Sequence, residues 1–184
     1  MDNLYIDKVL SGDRHAFRYF VKTYKDMAFS LAISIVKNEL IAEEVVQDAF
    51  VQAYLSLSNF KKLSKFSTWF YRIVVHCSYS AAKKRSWETI PIEPLDEAIV
   101  MVENIINKLI LEEEKQLIQE ALMQLPANEA LALRLFYLEE LSMEEIKQIT
   151  GWSLANVKVI LHRSRKRMLV QLQKQLIVQE NEQR

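Results

Sequence analysis

The sequence predicts an all-α protein of two small helical domains joined by a linker. Only two glycines and three prolines occur in 184 residues, while Leu, Ala, Glu, Lys and Gln, which favour helices, are abundant. Apolar residues recur at the helical spacing i, i+3, i+4, i+7 in both halves of the chain. The pattern loosens between the halves, from Ser86 to about Glu103, where Pro91 and Pro94 break helices. This acidic stretch is the predicted linker.

The first forty residues are expected to form two helices that act as a scaffold. A short apolar segment ends at Leu10, and Ser11-Gly12-Asp13 then has the composition of a turn followed by a helix start. Helical spacing of apolar residues continues from Ala16 to Ile35. The preferred interpretation is that this segment packs against the helix that follows it.

A third helix is expected from Ala42 onward, and its two sides differ in chemistry. The apolar stripe consists of Ala42, Val45, Val46, Ala49, Phe50, Ala53, Tyr54 and Leu57. The opposite side carries Glu43, Glu44, Gln47 and Asp48. An acidic helix face is most often only a solvent-exposed face, so the pattern alone assigns it no partner.

A loop rich in lysine and serine, residues 58–65, precedes a fourth helix that is expected to begin near Ser67 as the N-cap. One side of this helix carries Phe70, Ile73, Val74, Cys77 and Ala81, and another carries Trp69, Arg72, His76, Tyr79 and Lys83. Rings stack on unpaired bases while cations neutralise phosphates, as single-strand binding requires. Aromatic residues at helical spacing are also typical of a core, so both interpretations stay open on the pattern alone.

The second domain is expected to begin around Ile105. One helix contains Leu111, Leu117, Ile118, Ala121, Leu122 and Leu125 and ends at Pro126, and the next contains Ala130, Leu133, Leu135, Phe136 and Leu138. Ser142 and Glu145 then form the capping-box pattern. Gly151 supplies a tight bend, and Ser153 caps a long helix. Two helices joined by a short glycine turn, the second one basic, predict a helix-turn-helix.

The last helix is expected to bury one side and to present a basic side to a partner. Its predicted inner residues are Leu154, Val157, Leu161, Ser164 and Met168. Its predicted outer residues are Asn156, Val159, Arg163 and Lys166, flanked by Lys158, His162, Arg165 and Arg167. The alternative to DNA binding is that this basic run is only a solvent-exposed helix end. The glycine turn before the helix favours the DNA-binding interpretation. The helix is expected to run through Leu176. Residues 176–184 are the predicted polar tail, which is expected to be frayed from Gln179 onward.

Charge is distributed unevenly, although the formal net charge is zero. Residues 1–85 hold 13 Lys and Arg against 8 Asp and Glu, residues 86–150 hold 4 against 14, and residues 151–184 hold 7 against 2. Two basic ends therefore flank an acidic middle, and phosphate attraction should be local to each end. We also expect the free chain to bind DNA weakly, because the acidic middle repels phosphate and could fold against the basic ends.

Composition narrows the classes of function. A single cysteine excludes an internal disulfide framework and fits a reducing cytosol. No apolar run is long enough to cross a bilayer, and the N-terminus lacks signal-peptide order, so we expect a soluble, cytoplasmic protein without membrane insertion. The sequence has no P-loop, metal cluster or nucleophile and base set. His76-Cys77 lacks further ligands at suitable spacing. We therefore expect no catalysis, metal or cofactor.

The segment from Ala42 to Tyr54, AEEVVQDAFVQAY, followed by Phe60 and by FSTWFYRI at residues 66–73, resembles region 2 of extracytoplasmic-function (ECF) sigma factors. These are the small two-domain members of the bacterial sigma-70 superfamily. The resemblance implies that Glu43, Glu44, Gln47 and Asp48 dock on the β′ clamp helices of core RNA polymerase. It also implies recognition and melting of the promoter −10 element by the loop and the fourth helix.

The resemblance assigns the −10 function to a set of aromatic, basic and pocket residues. These are Phe60, Lys61, Lys62, Phe66, Trp69, Arg72, Ile73, His76, Lys83, Lys84 and Arg85. The family often has asparagine where this chain has His76 and aspartate where it has Ser80. Toward one base edge a neutral histidine can donate or accept one hydrogen bond, whereas an amide can do both, so the base preference of the pocket stays open.

The C-terminal helix resembles region 4 of the same family, which recognises the promoter −35 element. The family typically has Thr-Val-Lys-Ser-Arg-Leu where this chain has residues 156–161, and Asn156, Val159 and Ile160 depart from it. Lys158, Val159, His162 and Arg163 are assigned to −35 bases, Arg165, Lys166 and Arg167 to phosphates, and Asn156 to the −35 DNA surface without a specified contact. Val159 cannot hydrogen-bond a base edge but can pack on a thymine methyl group.

The leading hypothesis is therefore a sigma factor that directs core polymerase to specific promoters. Its predicted domains are region 2 at residues 1–86, a linker at 87–104, and region 4 at 105–175. The resemblance implies contact with the β flap, promoter DNA and an anti-sigma factor. One alternative is a helix-turn-helix repressor or activator that does not bind polymerase stably. Another is a helical adaptor that binds only protein. The repressor or activator does not explain an acidic helix joined to an aromatic and basic one, and salt-dependent DNA binding by residues 105–184 would exclude the adaptor.

Overall fold

The computed structural model of the chain describes residues 1–85 and 115–182. Within these ranges it contains eight α-helices and no strand, which confirms the predicted all-α class. The chain divides into two compact units, one built mainly from N-terminal and the other mainly from C-terminal residues. The predicted linker at 87–104 and the predicted domain start at Ile105 lie outside the described residues. No helix in the described ranges is long and apolar enough to cross a membrane.

Four helices form the N-terminal unit. They are α1 (Asp2–Leu10), α2 (Arg18–Val36), α3 (Glu39–Ser56) and α4 (Phe66–Arg85), with short 3-10 turns at Arg14–Phe17 and Leu57–Asn59. Helices α2, α3 and α4 all pack against one another, and α1 packs on the first 3-10 turn. The two helices expected before residue 40 are both present, with the 3-10 turn as an unpredicted addition.

Local chemistry sets the boundaries of these helices. Gly12 has a φ of 109°, and the Asp13 carboxylate accepts a hydrogen bond from the Ala16 amide at 3.2 Å. Lys37 ends α2 in the left-handed conformation, and Asn38 caps α3 by accepting from the Ile41 amide at 3.1 Å. The expected N-cap at Ser67 is wrong, because α4 already begins at Phe66.

The core of the N-terminal unit is aromatic at its centre. Phe20, Phe70 and Val74 are fully buried. Helix α3 turns small alanines toward this core, including Ala49, which lets the three helices approach closely. Tyr54 departs from the predicted stripe because it is 36% exposed. Its ring instead packs edge-on against an aromatic ring of the first 3-10 turn, at 5.1 Å.

The C-terminal unit is built around one long helix. The elements of the C-terminal half of the described chain are α5 (Lys115–Gln124), α6 (Ala127–Leu133), a π-helical turn (Arg134–Leu138), α7 (Met143–Thr150) and α8 (Leu154–Glu182). Of α7, only the residues up to Ile146 belong to this unit. Helix α8 packs against α5 and α6, and its buried residues Met168 and Leu172 join the core formed by those helices. Pro126 is the N-cap of α6, which agrees with the predicted break there.

Two features of this unit differ from the sequence-based expectation. The helix predicted through Leu138 changes to a π turn after Leu133. Here the buried Arg134 guanidinium donates to the Gln119 side chain. The expected frayed tail is also corrected, because α8 continues to Glu182.

Candidate functional site

The acidic side of α3 is exposed as a continuous surface. Glu43, Glu44, Gln47 and Asp48 are all exposed. The residues between them, Ala42, Val45 and Ala49, are buried. Positions four residues apart lie on the same side of a helix, so the structure brings the four predicted side chains together. We call these four residues the acidic face.

The loop before α4 presents its cations to solvent. Residues 61–65, which we call the basic loop, are all exposed and include Lys61, Lys62 and Lys65. Lys62 has a left-handed backbone with a φ of 57°. Its ammonium group lies 2.6 Å from the Asp7 carboxylate of α1. The sequence prediction missed this carboxylate, because nothing in its local pattern marks a contact to a residue 55 positions away.

The aromatic residues next to the basic loop divide between core and surface. Phe66 is only 3% exposed, and its ring centroid lies 4.3 Å from that of Phe20. Phe60 is also buried and contacts the Trp69 ring at 5.1 Å. Trp69 itself is half-buried. The structure therefore places Phe66 beneath the predicted DNA surface rather than on it, and its spacing of four residues from buried Phe70 is the sequence signal for that position.

The exposed side of α4 continues from Trp69 toward its C-terminus. Arg72, His76, Lys83 and Lys84 are exposed, Ile73 is half-buried, and the side chain of Arg85 lies outside the described residues. Arg72, His76 and Lys83 share one side of α4 with the half-buried indole of Trp69, as predicted from the spacing. That surface provides one ring for stacking and several positive charges for phosphate.

Helix α1 is fixed to the bundle by a carboxylate that sequence analysis did not single out. The Tyr24 hydroxyl donates to one Asp2 oxygen at 2.7 Å, and the Tyr19 hydroxyl donates to the other at 2.9 Å. Burial and the contact with Asp2 raise the pKa of Tyr24, so its hydroxyl remains a donor at neutral pH. Ile6 is fully buried in the same helix.

The predicted helix-turn-helix boundaries are confirmed by hydrogen bonds. The Ser142 hydroxyl accepts from the Glu145 amide at 3.3 Å, and the Glu145 carboxylate accepts from the Ser142 amide at 3.0 Å. This is the reciprocal capping box. Gly151 has a φ of 76°, which glycine adopts without steric cost. The Ser153 hydroxyl then accepts from the Asn156 amide at 3.2 Å and caps α8.

The outer side of α8 is mixed in its exposure. Asn156, Lys158, Lys166 and Arg167 are exposed, whereas Val159, His162, Arg163 and Arg165 are intermediate. On the inner side, Val157, Leu161 and Ser164 are buried as predicted. The eight predicted −35 residues therefore follow one side of a helix, but they do not all project equally into solvent.

Two arginines of α8 are held by contacts inside the C-terminal unit. Arg167 lies 3.0 Å from the Glu129 carboxylate, whose side chain is only 9% exposed. The Arg165 guanidinium donates to the Tyr137 hydroxyl at 2.7 Å and lies 5.6 Å from the centroids of the Tyr137 and Phe136 rings. The sequence prediction assigned both arginines to phosphates and did not single out Glu129 or Tyr137.

The described ranges contain no group of three or more His, Cys, Asp or Glu side chains that could hold a metal ion. What the structure offers instead is exposed charge: an acidic helix face, a basic loop with an aromatic and basic helix, and a basic recognition helix. A helix-turn-helix whose second helix is basic, joined to a separate helical unit, defines a DNA-binding protein of two domains.

Comparisons with known proteins identify the family. Residues 20–88 match the model of sigma-70 region 2, and residues 115–168 match that of sigma-70 region 4. The ECF RNA polymerase sigma factor SigW of Bacillus subtilis is 31% identical over 180 residues, covering 91% of this chain and 94% of that protein. The ECF RNA polymerase sigma-E factor of Escherichia coli K12 is 30% identical over 173 residues, with coverages of 89% and 90%.

The chain belongs to the ECF sigma factors of the sigma-70 family, and it is an RNA polymerase sigma factor. Sigma factors are transcription initiation factors. The findings support this function and not the alternative of a repressor or activator that acts apart from polymerase.

Two solved structures have the same fold. CnrH, solved in complex with the cytosolic domain of CnrY, matches with a TM-score of 0.64 and 20% identity, covering 94% of this chain and 97% of CnrH. The sigma factor RpoE from Bartonella quintana, solved with the anti-sigma factor NepR, matches with a TM-score of 0.64 and 22% identity. That match covers 85% of this chain and 96% of RpoE.

Proposed function

We propose that this sigma factor binds core RNA polymerase through the acidic face of α3 and promoter DNA through two separate basic surfaces. The observation that carries the proposal is the exposure of all four acidic-face side chains on a helix whose other side is buried. Such a surface has no role in the packing of its own unit. It is suited to a basic or polar partner, for which we propose the β′ clamp helices.

Electrostatics explains what this contact contributes. Exposed charges facing a complementary surface set orientation and association rate more than affinity. The acidic face therefore serves to align the sigma factor on polymerase, and its effect should weaken as salt is raised. We propose the β flap as the polymerase contact of the C-terminal unit, so that the two contacts act through one chain and reinforce each other.

We propose that the basic loop and the exposed side of α4 bind and melt the −10 element. Lys61, Lys62 and Arg72 supply positive charge to phosphates, and Trp69 supplies a ring for a base. A base taken out of the duplex costs stacking energy, which contact with a ring partly restores. Phe66 supports this surface from the core, and the rings of Phe60, Phe66 and Trp69 all contact one another.

We propose that α8 enters the major groove at the −35 element. Asn156, Lys158 and Val159 lie near its N-terminus, the end that contacts base edges in helix-turn-helix proteins. Lys166 is placed to contact phosphate. Arg165 and Arg167 act mainly by holding α8 against α6 and the π turn, which fixes the orientation of the helix in the groove.

The remaining assignments complete the proposal. Region 2 spans residues 1–86, the linker 87–104 and region 4 residues 105–175, and the polymerase supplies all catalysis, within the cytoplasm. We propose an anti-sigma factor as a further partner. Its support is that two proteins of the same fold were solved with bound proteins, one of them named an anti-sigma factor.

The test combines Glu43→Lys with Asp48→Lys in the full-length chain. The double variant should lose at least about tenfold in affinity for core polymerase at low salt, because two favourable contacts become repulsive. Binding to duplex promoter DNA should be retained. Asp26→Lys, which alters an exposed carboxylate of α2, is a control for a reversed charge elsewhere in the unit. Equal loss in both assays, or unchanged polymerase affinity, would contradict the division of roles.

A further inference from the structure

Helix α1 touches the basic loop through one charged pair. The Asp7 carboxylate and the Lys62 ammonium lie 2.6 Å apart, although 55 residues separate them in the chain. The pair joins the first helix of the protein to a loop that we propose to bind DNA. Nothing in the proposed function so far uses α1 or its carboxylates.

The carboxylate is presented by a helix that is held in place. Asp2 accepts the hydroxyl groups of Tyr19 and Tyr24. The Tyr5 ring stacks on that of Tyr19 with centroids 4.0 Å apart and an interplanar angle of 4°. Because α1 is anchored to α2 by hydrogen bonds, a ring stack and the buried Ile6, Asp7 occupies a defined position beside the loop.

The pair is also exposed enough for a phosphate to replace the Asp7 carboxylate at Lys62. Lys62 is 40% exposed and Asp7 is 63% exposed, and exposed ion pairs contribute little net free energy. A phosphate oxygen accepts the same charge-assisted hydrogen bond as a carboxylate oxygen. Beside the pair, a cleft of about 430 Å³ lies between the first residues of α1 and the loop, lined by residues that include Asn3, Lys65 and Ser67.

We infer that Asp7 binds Lys62 in the free protein in place of a DNA phosphate. Helix α1 thereby lowers the affinity of the basic loop for DNA until a phosphate displaces the carboxylate. The left-handed backbone of Lys62, with a φ of 57°, is unfavourable for a residue with a Cβ, and the ion pair helps to hold the loop in that form. The inference rests on the proposed function, since it requires Lys62 to contact DNA.

The test measures binding of a short, fluorescein-labelled single strand of mixed sequence to the full-length chain at low salt. Asp7→Asn removes the carboxylate charge and keeps the size of the side chain, and Asp26→Asn removes the same charge from α2. Both are compared with and without Lys62→Met. Asp7→Asn should raise affinity about threefold to fivefold, the upper end of what an exposed ion pair supplies, and Asp26→Asn should raise it less than about 1.5-fold. With Lys62→Met present, the advantage of Asp7→Asn over Asp26→Asn should vanish.

Each other result has a definite consequence. Equal gains for Asp7→Asn and Asp26→Asn, or a gain that persists without Lys62, would reveal a general charge effect and overturn the inference. If Lys62→Met weakens binding but Asp7→Asn does not strengthen it, the inference fails and the proposed DNA contact stands. If Lys62→Met does not weaken binding, the proposed role of Lys62 fails together with the inference. Circular dichroism melting curves check that each variant is folded.

Discussion

The two surfaces proposed to bind DNA contain the same kinds of residues, but they are constructed in opposite ways. In the N-terminal unit the aromatic residue Phe66 belongs to the core, while the lysines of the basic loop are exposed. In the C-terminal unit two arginines are held by their own domain, Arg167 by Glu129 and Arg165 by Tyr137. The N-terminal surface thus has exposed lysines above a buried aromatic residue. The C-terminal surface has arginines that are bound by other residues of the same unit.

This contrast shows that a basic residue can be charged and still be unavailable to DNA, because another residue of its own unit already binds it. A basic helix in a sequence suggests phosphate contacts, yet an arginine paired with a nearly buried carboxylate must lose that pair before it can serve DNA. Lys62 of the basic loop has instead an exposed ion pair with Asp7, and such a pair is lost at little cost in free energy. The C-terminal surface therefore obtains a fixed orientation from its arginines, and the N-terminal surface presents exposed positive charge on its lysines.

The largest expected effect concerns the core aromatic residue beneath the basic loop. Phe66→Ala should lower the free energy of unfolding by about 3–5 kcal/mol, the typical loss for a buried phenylalanine. Its ring contacts Phe20, Tyr24 and Phe70 with centroid distances between 4.3 and 5.9 Å. Urea unfolding followed by circular dichroism measures the change. Lys61→Ala, on the exposed loop, should stay within about 0.5 kcal/mol.

DNA binding distinguishes the two functions that Phe66 could have. If Phe66 acts only in the core, it should affect DNA affinity only through folding. Phe66→Leu, which keeps an apolar side chain there, should then largely retain single-strand binding. A large loss of DNA affinity in a Phe66→Leu protein that is fully folded would instead place the ring in contact with a base. The N-terminal surface would then use this ring for DNA binding and not only for support.

A smaller effect is expected where neighbouring cations of α8 differ in their partners. Arg167→Ala removes the partner of the nearly buried Glu129 carboxylate and should lower the free energy of unfolding by about 1–3 kcal/mol. Lys166→Ala, on the exposed side, should change it by less than about 0.5 kcal/mol. In duplex binding the order should reverse. Lys166→Ala should reduce the slope of log affinity against log salt by about 0.9, the value of one phosphate contact.

The salt slope of Arg167→Ala decides between anchoring and phosphate contact. If Arg167 acts through Glu129, its removal should leave the slope nearly unchanged while the protein becomes less stable. A reduction in slope equal to that of Lys166→Ala would show that Arg167 contacts phosphate. Both surfaces would then bind DNA with available cations, and the contrast between them would be smaller.

Local chemistry made much of the fold predictable. The capping box from Ser142 to Glu145 and the turn at Gly151 depend on residues within a few positions of each other, so their hydrogen bonds follow from the sequence. Helical periodicity likewise placed the acidic face opposite the buried side of α3. The π turn at Arg134–Leu138 could not be foreseen, because a π turn and an α turn can carry the same apolar spacing over five residues.

Contacts between distant residues account for the parts of the site that sequence reasoning missed. Asp7 lies 55 residues from Lys62, and Glu129 lies 38 residues from Arg167, and no periodicity links such pairs. Exposure of a cation therefore could not be inferred from its place on a helix face. Phe66 is different, because its spacing of four residues from Phe70 does predict burial. The adjacent basic loop instead favoured its assignment to the DNA surface.

The smallest expected effect is a pH dependence confined to the anchored surface. Burial raises the pKa of the Glu129 carboxyl above the ordinary value of 4.5, although Arg167 and Arg163 act in the opposite direction. The folded state then holds this proton more tightly than the unfolded state does. The resulting stability is fully present below pH 4.5 and is lost as the pH rises through the raised pKa. Glu129→Gln cannot titrate, so wild type should lose stability relative to this variant over that interval.

Urea unfolding of both proteins at successive pH values from about 4.5 to 7 measures this difference. Burial also raises the pKa of Glu139, but Glu139 is common to both proteins, so its titration largely cancels in the comparison. The change should be modest because Arg167 partly compensates the buried charge. A difference that is constant with pH would mean that the arginines balance the effect of burial on the pKa of Glu129, and one that favours wild type as the pH rises would mean that they outweigh it. The C-terminal surface would then owe its orientation to a strongly favourable ion pair.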